Sequence, residues 1–159
     1  MIICGIDPGL STTGYAILRV DGAEARVVDA GICRTDRSTK LPARLVQIEA
    51  DIRSLLEAWR PSLVCIEQLY AHYKHPRTAI LMGHARGVIM TVAARAGIEV
   101  RSYAATRVKR TLTGNGRASK IQVQHAIAAT LGLSHVPEPA DVADAIAVAF
   151  CGIQEVLPA

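Results

Sequence analysis

The first nine residues constrain the chain most. Ile2-Ile3-Cys4-Gly5-Ile6 is a short apolar run, rich in β-branched side chains and closed by Asp7-Pro8-Gly9. Such a run reads as a buried strand, and its lack of polar alternation suits a sheet covered on both faces. Asp7 does not suit a plain core strand. Desolvating a lone carboxylate costs several kcal/mol. Asp7 therefore either caps the turn that Pro8-Gly9 begins or faces a polar site at the strand's end. The strand alone leaves both readings open.

The segments that follow build an α/β fold around it. Gly14 to Val20 is a second strand, Asp21-Gly22 marks a hairpin, and Ala25 to Cys33 is a third strand, giving an antiparallel meander. Arg34 to Lys40 is a polar loop. Between Pro42 and Trp59, Leu45, Ile48, Ile52, Leu55 and Leu56 recur at helical spacing, while Arg44, Gln47, Asp51 and Arg53 lie opposite. This predicts an amphipathic helix against the sheet, ended by Pro61. Leu63 to Ile66 is a fourth buried strand, and it also closes on an acid, Glu67. The intervening helix makes this a crossover, so the fourth strand should lie parallel to an earlier one. Thr78 to Ala96 is a long helix without an acid, closed by Gly97. Ala79, Gly83 and Gly87 are four apart and form a face of small residues; it either packs on the sheet or meets a second copy. Ile98 to Ser102 is a fifth strand. Thr106 to Leu112 and Lys120 to Leu131 are helical, the second with Ser119 as a cap. The last helix begins at Ala140, beyond Pro137 and Pro139.

The 159 residues suffice for one domain, residues 1–159, with a sizeable core. Half the residues are hydrophobic and 20% are charged, which excludes a disordered chain. No apolar run reaches the roughly 18 residues of a membrane span. The chain enters its first strand without a basic leader, so no signal peptide is expected, and a cytoplasmic location follows as the expectation. Cys4, Cys33, Cys65 and Cys151 are far apart in apolar surroundings and read as reduced core residues, not a zinc set. The net charge of +4 is unevenly placed: from Gln68 to Pro137 one acid, Glu99, stands against ten Lys or Arg. A basic middle suits a polyanion, nucleic acid first, or a solvated surface.

The acids at the two strand ends have companions in the last helix. Asp141 and Asp144, spaced i, i+3, share a face. Asp141 lies in the first turn, where the helix dipole favours a negative charge. Asp144 has no such explanation, since Val142, Ala143, Ala145, Ile146, Ala147 and Val148 surround it. If this helix packs near the ends of the first and fourth strands, four carboxylates converge and repel. A divalent cation relieves that repulsion, and an all-oxygen donor set suits Mg²⁺ or Mn²⁺. Two such ions about 4 Å apart activate a water and stabilise the leaving oxygen of a phosphodiester.

The substrate grip is sought in the stretch from Arg101 to Lys120, which holds Arg107, Lys109, Arg110 and Arg117 and no acid. Such side chains are the usual phosphate contacts. A lysine beside the scissile phosphate would stabilise transition-state charge. Tyr70, three residues past Glu67, either stacks on an unpaired base or packs in the core. His72, His75 and His84 read as polar surface.

Taken together, Gly5-Ile6-Asp7-Pro8-Gly9 with Thr13-Gly14-Tyr15, Ile66-Glu67-Gln68, Gly83-His84-Ala85-Arg86-Gly87, Val108-Lys109, Lys120-Ile121-Gln122-Val123-Gln124-His125 and Ala140-Asp141 with Asp144-Ala145 resemble the bacterial RuvC Holliday-junction resolvases. The likeness runs from Ile3 to about Phe150. It implies a ribonuclease H-like fold: a five-stranded mixed sheet flanked by helices. It implies a homodimer that nicks two opposed strands of a four-way DNA junction and leaves ligatable 5′-phosphate ends. By position, Asp7, Glu67, Asp141 and Asp144 match the family's catalytic, Mg²⁺-binding carboxylates, and Lys109 and Lys120 match its DNA-contacting and catalytic-support residues. Tyr70 stands where the family has an aromatic that contacts the junction. The small-residue helix matches the family's dimer helix. The implied partners are the RuvA and RuvB branch-migration proteins.

Other readings compete. Gly5-Ile6-Asp7-Pro8-Gly9 also resembles the first phosphate loop of actin-like phosphotransferases, which need two such domains. A non-catalytic junction-binding module would lack one of the four acids, and none is missing. A related nuclease with another branched DNA or RNA substrate stays open.

Overall fold

The computed structural model describes residues 1–69 and 75–157. The expectations at Tyr70 and His72 lie outside the described residues. Ten elements follow in chain order. Strands β1 (Ile2–Asp7), β2 (Thr12–Asp21) and β3 (Glu24–Arg34) form the meander. Helix α1 (Leu41–Trp59) leads to β4 (Leu63–Glu67), and α2 (Pro76–Arg95) leads to β5 (Glu99–Tyr103). Helices α3 (Ala105–Thr113), α4 (Lys120–Thr130) and α5 (Ala140–Val156) complete the chain. One sheet holds all five strands in the order β3-β2-β1-β4-β5. The meander is antiparallel, while β4 runs parallel to β1 and β5 parallel to β4. This is the expected mixed sheet with two crossover helices.

Strand alternation divides the core in two. Ile3, Leu63, Cys65 and Tyr103 join a cluster with α3, α4 and α5. Cys4, Ile6, Val64 and Ile66 join the opposite cluster, with Ile48, Ile52 and Leu56 of α1 and Ala85 and Ile89 of α2. Side chains two apart share a face. Asp7 therefore projects on the side of Ile3, and Glu67 on the side of Leu63 and Cys65, both toward α5. This explains why two buried strands can end in acids: the last inward position of each lies past the apolar core.

Several boundaries move outward from the sequence reading. Strands β2 and β3 are longer, with a bulge at Ile17/Leu18 that apolar spacing does not reveal. Helix α2 starts at Pro76, because proline suits the first helical turn, where its missing N–H is no loss. Sheet packing is not the role of the small-residue face of α2. The buried positions are Ala85, Ile89, Val92 and Ala93. A Cβ on Gly83 would meet only Leu69 Cδ1 at 3.7 Å, and one on Gly87 would meet nothing within 4 Å. Cys4, Cys65 and Cys151 are buried free thiols and Cys33 is partly buried. Burial pushes Cys33 up to about 11 and Cys65 to about 12, so both stay protonated and unreactive.

Candidate active site

Backbone proximity assembles the four acids. The parallel register pairs Gly5 with Cys65 and Ile6 with Ile66. One step further along both strands lie Asp7 and Glu67, on neighbouring strands about 4.8 Å apart. On the other side Asp7 pairs with Gly14 of β2. Gly14 lies so close beneath α5 that an added Cβ would fall 2.1 Å from the Asp141 carbonyl oxygen. Gly5 is likewise covered, with the Ala145 carbonyl oxygen 2.1 Å and the Ala149 Cβ 2.7 Å from where its Cβ would stand. Glycine at these two strand positions lets α5 lie flush on the sheet. That contact brings Asp141 and Asp144 to the end of β1.

The turn after Asp7 is braced from within. Thr13, 1% exposed, donates its hydroxyl to the Gly9 carbonyl at 2.7 Å and accepts from the Gly9 amide at 3.4 Å. This ties the Pro8-Gly9 turn to β2. The competing reading of Asp7, a turn cap, is not what the fold displays, because Thr13 holds the turn.

Electrostatics record the convergence. Burial, and then the charges of Asp144, Glu67 and Asp141, push the Asp7 carboxyl up to about 7, against a lowering pull from Lys120. Burial and the Asp144 charge also hold Glu67 above the usual carboxylate range, while Lys109 and Lys120 pull it back. Lys120 donates to Asp144 Oδ2 at 2.8 Å. That bond, with the fields of Asp144, Asp7 and Asp141, raises the lysine above its ordinary value. An ammonium thus sits among all four acids. Its helix is firmly started: Ser119 accepts from the Gln122 amide while the Gln122 side chain accepts from the Ser119 amide, a capping box.

Among the described residues no three carboxylate, imidazole or thiol groups already converge closely enough to enclose an ion. The donor set itself fits a hard divalent cation, being four carboxylates from β1, β4 and α5, two of them disfavoured as free anions by their surroundings. A cavity of about 240 Å³ opens beside them, lined by Glu67, Asp144, Lys109, Lys120 and Val108. Two larger grooves, of about 580 and 660 Å³, lie between α1 and α2 and contain none of the four acids.

The other basic residues divide. Lys109 faces the cavity with Glu67. Arg110 and Arg117 flank the glycine turn, where Gly114 has a positive φ of 75° and a Cβ on Gly116 would approach the Arg110 guanidinium at 3.5 Å. Arg107 is engaged within the fold. Its Nη2 lies 3.3 Å from Glu155 Oε1, and its guanidinium carbon 5.1 Å from the Tyr103 ring centre. Sequence reasoning assigned Arg107 to DNA and missed its pairing with Glu155, since about fifty residues of chain separate the two; the Tyr103 ring lies only four residues before Arg107. It also missed Arg86, whose guanidinium binds the Glu67 carbonyl oxygen. The available signal was a cation between Ala85 and Gly87 at the middle of a helix whose other arginines, Arg77 and Arg95, lie near its ends.

Comparison with known proteins identifies the family. The family model described as crossover junction endodeoxyribonuclease RuvC matches residues 3–152. A crossover junction endodeoxyribonuclease of Rhodopirellula baltica is 51% identical over 150 residues, covering 94% of this chain and 84% of that one. The one from Caldicellulosiruptor saccharolyticus is 41% identical over 154 residues, covering 96% and 92%. Among solved structures, Thermus thermophilus RuvC in complex with a Holliday junction substrate matches with a TM-score of 0.89 at 32% identity, covering 95% of this chain and 92% of that one. The yeast mitochondrial Holliday junction resolvase shares the fold, with a TM-score of 0.70 at 11% identity, covering 96% and 77%. A strand-end acid on each of two parallel strands, two more on the helix crossing them, and a matched family model over nearly the whole length lead to one conclusion: this chain belongs to the RuvC family of crossover junction endodeoxyribonucleases.

Proposed function

We propose that this protein is a Holliday-junction resolvase, hydrolysing one phosphodiester bond in each of two opposed strands of a four-way DNA junction and leaving 5′-phosphate nicks. The observation that carries the reading is the gathering of Asp7, Glu67, Asp141 and Asp144 around the Lys120 ammonium at one end of the sheet. Residues 1–159 form a single nuclease domain. The four carboxylates would hold Mg²⁺, with two ions expected per site and Mn²⁺ as a substitute. Bound there, the metal lowers the pKa of a water and neutralises charge on the leaving oxygen. Asp7 and Glu67, at the strand ends, supply the rigid half of the donor set, and Asp141 and Asp144 supply the half carried by α5. Lys120, held beside Asp144 at 2.8 Å, would lend its charge to the scissile phosphate and so favour the transition state. Lys109, Arg110 and Arg117 take the flanking phosphates, and Arg107 holds the helix that presents Lys109. Tyr70 contacts junction DNA.

The face of α2 that carries Gly83 and Gly87, with open space beside Gly87, is where a second copy docks, giving the two sites that paired cleavage requires. RuvA and RuvB, as branch-migration partners, would deliver the junction. No described helix is long and apolar enough to cross a membrane, which is consistent with work on DNA in the cytoplasm. The test compares a synthetic four-way junction with duplex of matched sequence, in Mg²⁺ and in EDTA. Symmetric nicks in the junction alone, abolished by EDTA, are expected. Equal cutting of duplex, or cutting in EDTA, would refute the proposal.

A further inference from the structure

Arg86 lies midway along α2, half-buried, and forms no ion pair with a carboxylate among the described residues. Its partners are neutral oxygens. Nε donates to the Glu67 carbonyl at 3.2 Å, and Nη2 donates to Ser102 Oγ at 2.6 Å. A half-buried guanidinium without an anion is costly, and burial holds it below its ordinary pKa. What it holds is the end of the sheet. Glu67 is the last residue of β4, and past it one bond remains to β5, from the Gln68 amide to the Tyr103 carbonyl at 2.9 Å. Arg86 satisfies the carbonyl at that terminus and ties it through Ser102 to β5. The next residue of the helix, Gly87, is exposed with open space where its Cβ would stand. One short stretch of α2 thus grips the backbone of Glu67 on its inner side and presents the small-residue face outward.

We infer that Arg86 is a positioning residue: it sets the backbone from which the Glu67 carboxylate projects, and so makes the placement of that acid depend on the placement of α2. The inference rests on the nuclease reading given above. It assigns Arg86 no contact with substrate, so its loss separates turnover from binding.

The test compares wild type with Arg86→Met, Arg86→Lys and Ser102→Ala, using a synthetic four-way junction in Mg²⁺ and Mn²⁺ binding to the DNA-free protein by electron paramagnetic resonance. Arg86→Met is expected to lower kcat on the order of 10- to 100-fold while leaving junction affinity within about twofold. Mn²⁺ affinity falls severalfold with it, which a role in general stability would not produce. Arg86→Lys, keeping one donor, recovers part of both losses. Ser102→Ala, keeping the bond to Glu67, loses less than Arg86→Met. Folded Arg86→Met with wild-type kcat and Mn²⁺ affinity, or with junction binding lost as fully as turnover, would overturn the inference. If Arg86→Met does not fold, wild-type behaviour in both Arg86→Lys and Ser102→Ala overturns it equally. A wild type inert on junctions sinks the nuclease reading; an active wild type with indifferent variants sinks this inference alone.

Discussion

Asp7 sits where folding alone would not leave a charge. Its carboxyl is raised to about 7 in the folded protein, above its value of 3.8 when free. The folded state therefore binds more protons between those values, and stability falls as pH rises through that window. The penalty is absent below about 4 and complete above about 7. Asp7→Asn removes it, so without metal the variant should be more stable than wild type at pH 8, on the order of a few kcal/mol, and equal to it near pH 4. Urea denaturation at the two pH values measures this. The same variant should bind a junction normally and fail to cut it. A variant less stable than wild type at pH 8 would mean that Asp7 is a structural residue. Glu67 shifts in the same sense, so wild type should also gain stability from Mg²⁺ at pH 8, and Asp7→Asn should gain less.

Helix α3 depends on side chains far from it in sequence. Its first turn is held by Arg107, which shares Glu155 with the buried hydroxyl of Tyr103, the latter donating to Glu155 Oε2 at 2.5 Å. Arg101 adds a weaker contact to Glu155 at 3.7 Å. This knot ties the C-terminal end of α5 to the helix that forms one wall of the cavity and carries Lys109. Glu155→Ala strands the Tyr103 hydroxyl and should cost about 1–3 kcal/mol in a denaturant melt. Glu155→Gln, which keeps an acceptor, should cost less. Both should slow junction cleavage more than they weaken junction binding. If Arg107→Ala weakens binding strongly and flattens its salt dependence while Glu155→Ala does not, Arg107 contacts phosphate directly.

At the scale of the molecule, paired cleavage needs two sites, and α2 offers the surface that would join them. Gly87→Glu should leave the fold intact, because open space surrounds that position and the change removes a helix-interior glycine. It should yield monomers in sedimentation velocity and replace paired cuts with slow single nicks. A dimer that persists would place the interface elsewhere. Much of the architecture was legible in the chain itself. The apolar runs ending in Asp7 and Glu67, the 3.6-residue periodicity from Leu45 to Trp59, the Ser119 cap and the acids set in an apolar last helix are local patterns, and backbone sterics and burial read them locally. Strand bounds were less legible, because the ends of β2 and β3 are extended by pairing with each other and not by their own composition. Which acids meet was not local at all. It depends on Gly5 and Gly14 letting α5 lie against the sheet, and on a parallel register that sets Asp7 beside Glu67. The sequence by itself determined the segments, their periodicity and the unusual residues they carry, since these depend on neighbours along the backbone. Only the tertiary structure decided that Arg107 turns to Glu155, that Arg86 holds Glu67 and that the small face of α2 stays open, since charge pairing and close packing act through space between residues the chain keeps far apart.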